Sequence, residues 1–393
     1  MSELKIIFWF SAALVFYTYA GYPLLLALGQ VLRRQPRPAM KETETSSALP
    51  SMTLLILACN EERWIAKKIE NTLEIEYPPG SLEIVVASDG STDRTVEIAR
   101  RYESRGITVV AFAERLGKQG MLNCLSPRAH GEIVVMTDTN ALLGSDSLQQ
   151  LATAFADAQV GCAIGRRVCV VQKGSMASTA ESLYWRYESW IQQAESRWHS
   201  CLAATGQLHA VRRRLFPRVE SPCDDFFIPM KVLASTGYRV AYVPSAVAAI
   251  PAAATLSMEF DRKTRTHVSF LFVLPLLKEL LMPGRSPVWW RLASHHVLRM
   301  LVPAAMLAAI VSSADLSPVQ GLYLFLTIAQ AVFYAMAAIG WAFASFGRRP
   351  RVFYLPFYFV FVQLAVAQAW VRWSLRKGDP GSWQRTERLT DAS

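Results

Sequence analysis

The chain has 393 residues, a formal net charge of +10, 52% hydrophobic residues and only 18% charged residues. Soluble globular domains carry about 25% charged residues, so this composition excludes a disordered chain and argues against an ordinary water-soluble one. The 6 cysteines have no framework or metal-ligand spacing, which excludes a small disulfide scaffold and fits a reducing compartment.

In chain order, residues 6–32 contain no charge and are long enough to cross a bilayer as a helix. A cleaved signal peptide fits poorly, because the apolar run is too long and no small-residue cleavage site follows it. We assign residues 1–33 to a transmembrane helix and 34–50, basic and then polar, to a linker. Residues 51–255 have ordinary soluble composition and form a separate domain. There, strands are predicted at Met52–Ala58, Leu82–Ala87, Ile107–Phe112, Glu132–Thr137 and Val160–Ile164. Helices are predicted between them: Glu62–Ile75, with Ile65, Ile69 and Leu73 on one face, then Thr92–Tyr102, Gln119–Ser126 and Leu148–Phe155. This alternation predicts a parallel α/β sheet, whose ligands bind beyond the C-terminal strand ends. Polar residues gather there: Asn60 and Glu61, Asp89, Lys118, and Asp138 with Asn140. Neither a GxGxxG fingerprint nor a GxxxxGK[ST] phosphate loop is present.

Residues 256–292 form an interface region. His267–Pro283 is too short to span and is interrupted by Lys278 and Glu279, so it is predicted to lie in the membrane plane with Phe270, Phe272 and Leu276 toward lipid. The basic stretch before it suits anionic headgroups. Three spans are expected within 293–375, at Leu298–Val311, Leu322–Phe346 and Val352–Trp373, followed by a basic tail at 376–393. Arg33, Arg34 and Arg37 place the 51–255 domain on the cytoplasmic side, and Arg348, Arg349 and Arg351 do the same for the loop before the last span. Counting spans then puts the C-terminus outside, against the basic tail, and the sequence leaves that conflict open.

Four motifs, LILACNEE, VVASDGSTD, GKQGMLN and VVMTDTN, follow one another at predicted strand ends. Carrying them, the chain resembles the membrane-anchored inverting glycosyltransferases of family 2. The resemblance implies a GT-A-type mixed sheet flanked by helices, attached to a transmembrane part with an interface helix. It implies a nucleotide-sugar donor, usually a UDP-sugar, and a lipid-linked or polysaccharide acceptor at the plasma membrane.

Residue by residue, the resemblance assigns Asn60 and Glu61 to the nucleoside, Asp89 to its base, and Lys118 and Arg265 to the diphosphate. The family's DxD motif becomes Asp138-Thr139-Asn140 here. Asp138 and Asn140 are then the expected ligands of Mg²⁺ or Mn²⁺, with Asn140 replacing a carboxylate and neutralising no charge. The family's acidic pair matches Asp224-Asp225, with Asp225 the expected general base, and the stretch under the acceptor matches Gly206 and Gln207. A turn or helix cap is the structural alternative for Asp89 and for Asp224.

The processive synthases' QxxRW segment survives only as Arg262–Thr266, without its Gln and Trp, which tilts the reading toward single-sugar transfer. The alternatives are a processive synthase that exports its polymer and a non-catalytic membrane assembly protein. Membrane lipid and other polysaccharide-assembly proteins are the expected partners. No basic-aromatic pattern points to nucleic acid.

Overall fold

A computed structural model describes residues 2–32, 49–170, 176–203, 206–219, 225–252, 255–318, 320–345 and 351–375. The expected linker and basic tail lie almost wholly outside these residues, as does Asp224.

The chain opens with helix α1 (Ser2–Phe16), a π-helical turn at Tyr17–Gly21, and α2 (Tyr22–Leu32). The soluble part begins with β1 (Met52–Ala58), α3 (Ile65–Leu73), β2 (Leu82–Asp89), α4 (Thr95–Arg100), β3 (Ile107–Phe112), α5 (Gly117–Leu125) and β4 (Ile133–Asp138). It continues through β5 (Leu142–Leu143), α6 (Ser147–Ala154), β6 (Val160–Val170), α7 (Met176–Trp198), β7 (His209–Arg212), α8 (Phe227–Thr236) and β8 (Arg239–Pro251).

All eight strands join one sheet in the order β3-β2-β1-β4-β7-β6-β8-β5. β1 to β4 are mutually parallel where they pair, but β7 runs antiparallel to both β4 and β6. The sheet is therefore mixed, and the parallel run predicted from β–α alternation stops at β4. The short β7 carries no local signal of direction. Every residue of β1 is buried, as befits a central strand covered on both faces. Alternate residues feed two cores: Leu55 and Leu57 on one side, Leu54 and Ile56 on the other. From β1 the chain builds outward through β2 and β3, then returns to add β4 on the other flank. The β1/β4 boundary is thus the switch point at which a crevice opens beyond the strand ends.

The remaining elements are α9 (Leu256–Val273), a 3₁₀ segment at Leu274–Leu281, α10 (Trp289–Leu292), a π-helical turn at Ala293–Val297, α11 (Leu298–Leu316), α12 (Gly321–Ser345) and α13 (Tyr354–Ser374). Among the described residues, four helical stretches are long and apolar enough to cross a membrane: Ser2–Leu32, Trp289–Leu316, Gly321–Ser345 and Tyr354–Ser374.

The interface helix begins earlier than predicted, at Leu256, where the Thr255 hydroxyl caps it by accepting from Met258 N at 3.2 Å. Phe270 does not face lipid. It is buried with ring centroids 5.7 Å from Phe226 and 5.6 Å from His296. An apolar stripe on a helix specifies burial, not the medium that supplies it, and here the sheet's own core does so. Leu276 is exposed, as expected.

A ladder of carboxylates clamps the membrane helices to the soluble part. Glu181, Glu188 and Glu195 recur along α7 at a seven-residue spacing that keeps them on one face. Glu181 pairs with Arg167 at 3.0 Å and Arg262 at 2.6 Å. Glu188 pairs with Arg299 at 2.6 Å and meets His295 at 3.1 Å. Glu195 meets the other ring nitrogen of His295 at 2.8 Å and accepts from the Tyr22 hydroxyl at 2.5 Å. The two π-helical turns touch here through Tyr17 and Ser294, whose hydroxyls are 2.7 Å apart.

Candidate active site

Asp89 closes β2 with a fully buried carboxylate that accepts from the amides of Leu116, at 2.6 Å, and Gly117, at 3.1 Å. Gly90, at φ +56°, lets the loop pass close: a Cβ there would lie 3.0 Å from the Arg115 amide nitrogen. The expected contact of Asp89 with a nucleotide base is not displayed, because none of its surface is open. It acts as a clamp on the start of α5, nearer the cap alternative.

That clamp positions Lys118, the second residue of α5. Lys118 Nζ lies 3.0 Å from Asp138 Oδ1 at the end of β4 and 2.8 Å from Asp225 Oδ1 just before α8. Burial alone pushes this ammonium down, but Asp138 and Asp225 override it and hold it well above the usual lysine range. Gln207 Nε2 donates to Asp138 Oδ2 at 3.0 Å. Gly206 lies under Asp225, where a Cβ would come within 2.2 Å of Oδ2 and 2.9 Å of Lys118 Nζ. Residues predicted from four separate stretches thus form one cluster: Lys118, Asp138, Gly206, Gln207 and Asp225.

Arg265, on α9, reaches the same electrostatic neighbourhood. Burial and Arg262 push it below the usual arginine range, and Asp138 opposes that shift. Arg262, the other arginine of the vestigial segment, is committed elsewhere: it pairs with Glu259 and Glu181.

Asn60 and Glu61 lie in the neighbouring β1–α3 loop. Asn60, at φ +55°, accepts from the Thr92 amide at 2.8 Å, and the Glu61 amide donates to Thr95 Oγ1 at 2.8 Å. These bonds stitch the two loops together along one side of the crevice. Burial pushes the Cys59 thiol up, with Arg115, Asp89 and Glu61 among its charged neighbours.

For a metal, the relevant donors are Asp138 and Asn140. The Asn140 amide oxygen is buried with no hydrogen-bond partner. Hard divalent ions take such carboxylate and amide oxygens together with phosphate oxygens. Among the described residues no group of three or more His, Cys, Asp or Glu forms a protein cage. The donor set therefore fits an ion that leans on a ligand's phosphates.

Sequence reading missed Lys68. It is fully buried beneath the Asp138 loop, donating to Thr137 Oγ1 at 3.0 Å and to the Ala141 carbonyl. Burial pushes it down to about 7, and Asp138 works against that shift. Its i, i+3 spacing from Ile65 on the buried face of α3 was the available signal. The α7 ladder was missed too, although its seven-residue repeat is visible in the sequence.

Residues 53–219 match the profile of the family described as Glycosyl transferase family 2. The chain is 31% identical over 192 residues to a beta-monoglucosyldiacylglycerol synthase of Nostoc sp., a match covering 48% of this chain and 40% of that protein. It is 24% identical over 261 residues to an N-acetylglucosaminyltransferase of Rhizobium leguminosarum bv. viciae, covering 61% of each. The chain thus spans less than two thirds of the length of these curated relatives. Among solved structures, a mannosyltransferase from Pyrobaculum calidifontis, in complex with GDP-Man and Mn²⁺, matches with TM-score 0.68 at 25% identity. That match covers 95% of this chain and 100% of the other, so the shared fold includes the membrane helices as well as the sheet.

Proposed function

We propose that this chain, whose residues 53–219 match the profile of glycosyl transferase family 2, is an integral-membrane enzyme of that family that moves a sugar from a nucleotide sugar to a lipid-linked or glycan acceptor with inversion. The observation that carries this reading is the shared contact of Lys118 with Asp138 and Asp225, on the ligand-binding side of the sheet.

The chemistry follows from that contact. In an inverting transfer the acceptor hydroxyl attacks the anomeric carbon from the face opposite the diphosphate. Its O–H proton goes to a carboxylate as the new C–O bond forms and the bond to the diphosphate breaks. Asp225 is the base, on the acceptor side, and Asp138 belongs to the donor side. Before the donor arrives, Lys118 holds the Asp225 carboxylate by a hydrogen bond to Oδ2 at 3.0 Å, which lowers its basicity. A diphosphate competes for that ammonium, so donor binding draws Lys118 toward phosphate and releases Asp225 for the acceptor. Arg265 adds positive charge for the leaving group. Asp138 and Asn140 are the residues that would hold Mg²⁺ or Mn²⁺, which supplies charge neutralisation for the departing diphosphate. The Pyrobaculum protein's complex with Mn²⁺ supports this assignment.

Single addition is favoured over polymer export, since Arg262 is locked into carboxylates and the segment lacks the Gln and Trp of processive enzymes. The arginine bias after the first span supports a cytoplasmic soluble part at the plasma membrane. Incubating the purified full chain with a panel of UDP- and GDP-sugars and membrane-lipid acceptors, with mass spectrometry of the products, tests the reading. One added sugar supports it, a polymer points to a processive synthase, and no product with any pair points to an assembly protein.

A further inference from the structure

The α7 ladder satisfies its carboxylates but not all of its cations. Arg299, ten residues into the spanning stretch Trp289–Leu316, gives Nη1 to Glu188 at 2.6 Å. Its Nε and Nη2 are buried and make no well-aligned hydrogen bond, the Tyr187 hydroxyl being the polar group beside the guanidinium. Those two atoms form the side-on edge of the guanidinium, the edge that grips two oxygens of one anion. The rings of Tyr19 and Tyr187 flank the guanidinium, with centroids 5.5 and 6.0 Å from its carbon.

Other unsatisfied polar atoms lie nearby: Gln363 bonds to Tyr19, whose ring flanks Arg299, and His267 feels the Arg299 charge. Gln363 of α13 is 3% exposed and donates to the Tyr19 hydroxyl at 2.6 Å, which leaves its Oε1 buried without a partner. On α9, Thr264 Oγ1 and His267 Nε2 are buried and unpartnered, and their i, i+3 spacing puts them on one face. Burial, then Lys263 and Arg299, push His267 down to about 3, so it is a neutral ring with one N–H to offer. Lys263 itself sits 3.7 Å from the centroid of the Tyr184 ring. Native proteins rarely leave so many buried polar groups unpaired in one place without a ligand or water to meet them. Arg299 Nε and Nη2 can only donate, Thr264 Oγ1 and His267 Nε2 can donate, and Gln363 Oε1 can only accept; Lys263 and Arg299 add positive charge around His267, against Glu188. The missing partner is an acceptor-rich anion.

Its surroundings define its source. Arg299, Tyr19 and Gln363 all belong to stretches long and apolar enough to span a bilayer, so an occupant reaches them from the membrane. We propose that this junction of the first span, α7, α9, α11 and α13 is a binding site for the phosphate group of a membrane lipid, gripped by the Nε/Nη2 edge of Arg299 and contacted by Thr264 and His267. Arg265 lies on the other side of α9, toward Asp138, so the site is separate from the donor crevice and is independent of the transfer reaction proposed above.

The test uses the delipidated full chain in detergent without nucleotide, titrated with phosphatidic acid, diacylglycerol of the same acyl chains and inorganic phosphate, with bound lipid counted by native mass spectrometry. Phosphatidic acid should bind at least about tenfold more tightly than diacylglycerol, the expected effect of a charge-assisted fork. Arg299→Lys removes the fork but keeps the charge for Glu188, and should cost about tenfold in that affinity. Gln363→Glu leaves the Glu188 pair intact and adds a repelling carboxylate, with a similar loss expected, while Thr264→Val should cost a few-fold. Equal binding of the phosphate-free lipid, or unchanged affinity in folded Arg299→Lys and Gln363→Glu, overturns the site. Inorganic phosphate binding as tightly as phosphatidic acid overturns its assignment to a lipid.

Discussion

Two buried charge clusters sit in this chain, and they differ in how their charges balance. In the crevice, one ammonium faces two carboxylates, and the three side chains keep 16%, 18% and 23% of their surface exposed. Along α7, each carboxylate has at least two polar partners, and Glu181, Glu188 and Glu195 are 3%, 6% and 0% exposed. A cluster whose carboxylates share one ammonium and keep contact with water can exchange that cation for a ligand's. A dry cluster whose carboxylates are all met instead fixes geometry, because removing a partner leaves a buried charge unmet. The catalytic reading belongs to the first cluster and the scaffold reading to the second, and substitutions in each should fail in different ways.

The largest effect is expected in the open cluster. Asp225→Asn keeps the shape and removes the base, so transfer at saturating donor should fall by about 10²–10⁴-fold. Calorimetric affinity for the nucleoside diphosphate should stay within a few-fold. Parental turnover would place the base elsewhere, and loss confined to Asp224→Asn would shift the acidic pair by one residue.

The saturated cluster should answer in stability instead. Glu195→Ala strips a partner from both His295 and Tyr22 and should cost about 3–5 kcal/mol, read as a shifted denaturation midpoint in detergent. A folded variant of normal stability and lowered turnover would move the ladder into the catalytic class.

Gly206→Ala probes the boundary between the two behaviours. The new Cβ would meet Asp225 Oδ2 at 2.2 Å, and since Gly206 lies in a loop, the collision displaces the carboxylate rather than the sheet. Turnover should drop by about 10- to 100-fold, while the denaturation midpoint stays near the parent's. A matched loss of stability would mean that the loop carries the fold.

The same contrast explains what the sequence disclosed. The crevice was legible because its residues sit at strand ends inside contiguous motifs: Asp89 in VVASDGSTD, Lys118 in GKQGMLN, Asp138 in VVMTDTN. Backbone direction aims them at one place, so locating the strands located the site. Their particular contacts were less legible, since the bonds of the Asp89 carboxylate to the start of α5 are visible only in the tertiary packing. The direction of β7 was hidden because four residues carry no information about which neighbour they join. The α7 ladder was hidden for another reason. Its partners Tyr22, Arg167, Arg262, His295 and Arg299 are scattered through the chain, and a helix face of acids looks the same in sequence whether it meets water or arginines. Phe270 makes that point from the apolar side.

Lys68 tests the comparison where it is weakest, as a buried cation that belongs to neither cluster. Its ammonium donates to a hydroxyl and a carbonyl and makes no direct carboxylate contact, unlike Lys118, and burial pushes it down to about 7. An unfolded lysine titrates near 10.4. Between these values the unfolded chain holds the proton and the folded chain releases it, so stability contributed at this position rises with pH. Below about pH 7 both states are protonated and the burial penalty is fully present. The difference in unfolding free energy between the parent and Lys68→Met should therefore shift in the parent's favour by about 1 kcal/mol per pH unit from pH 7.5 to 9. Taking the difference removes other titrations common to both proteins. A flat difference over that range would mean that Lys68 stays charged, with Asp138 acting as its counter-ion across the loop. Lys68 would then join Lys118 and Arg265 as a further cation of the open cluster.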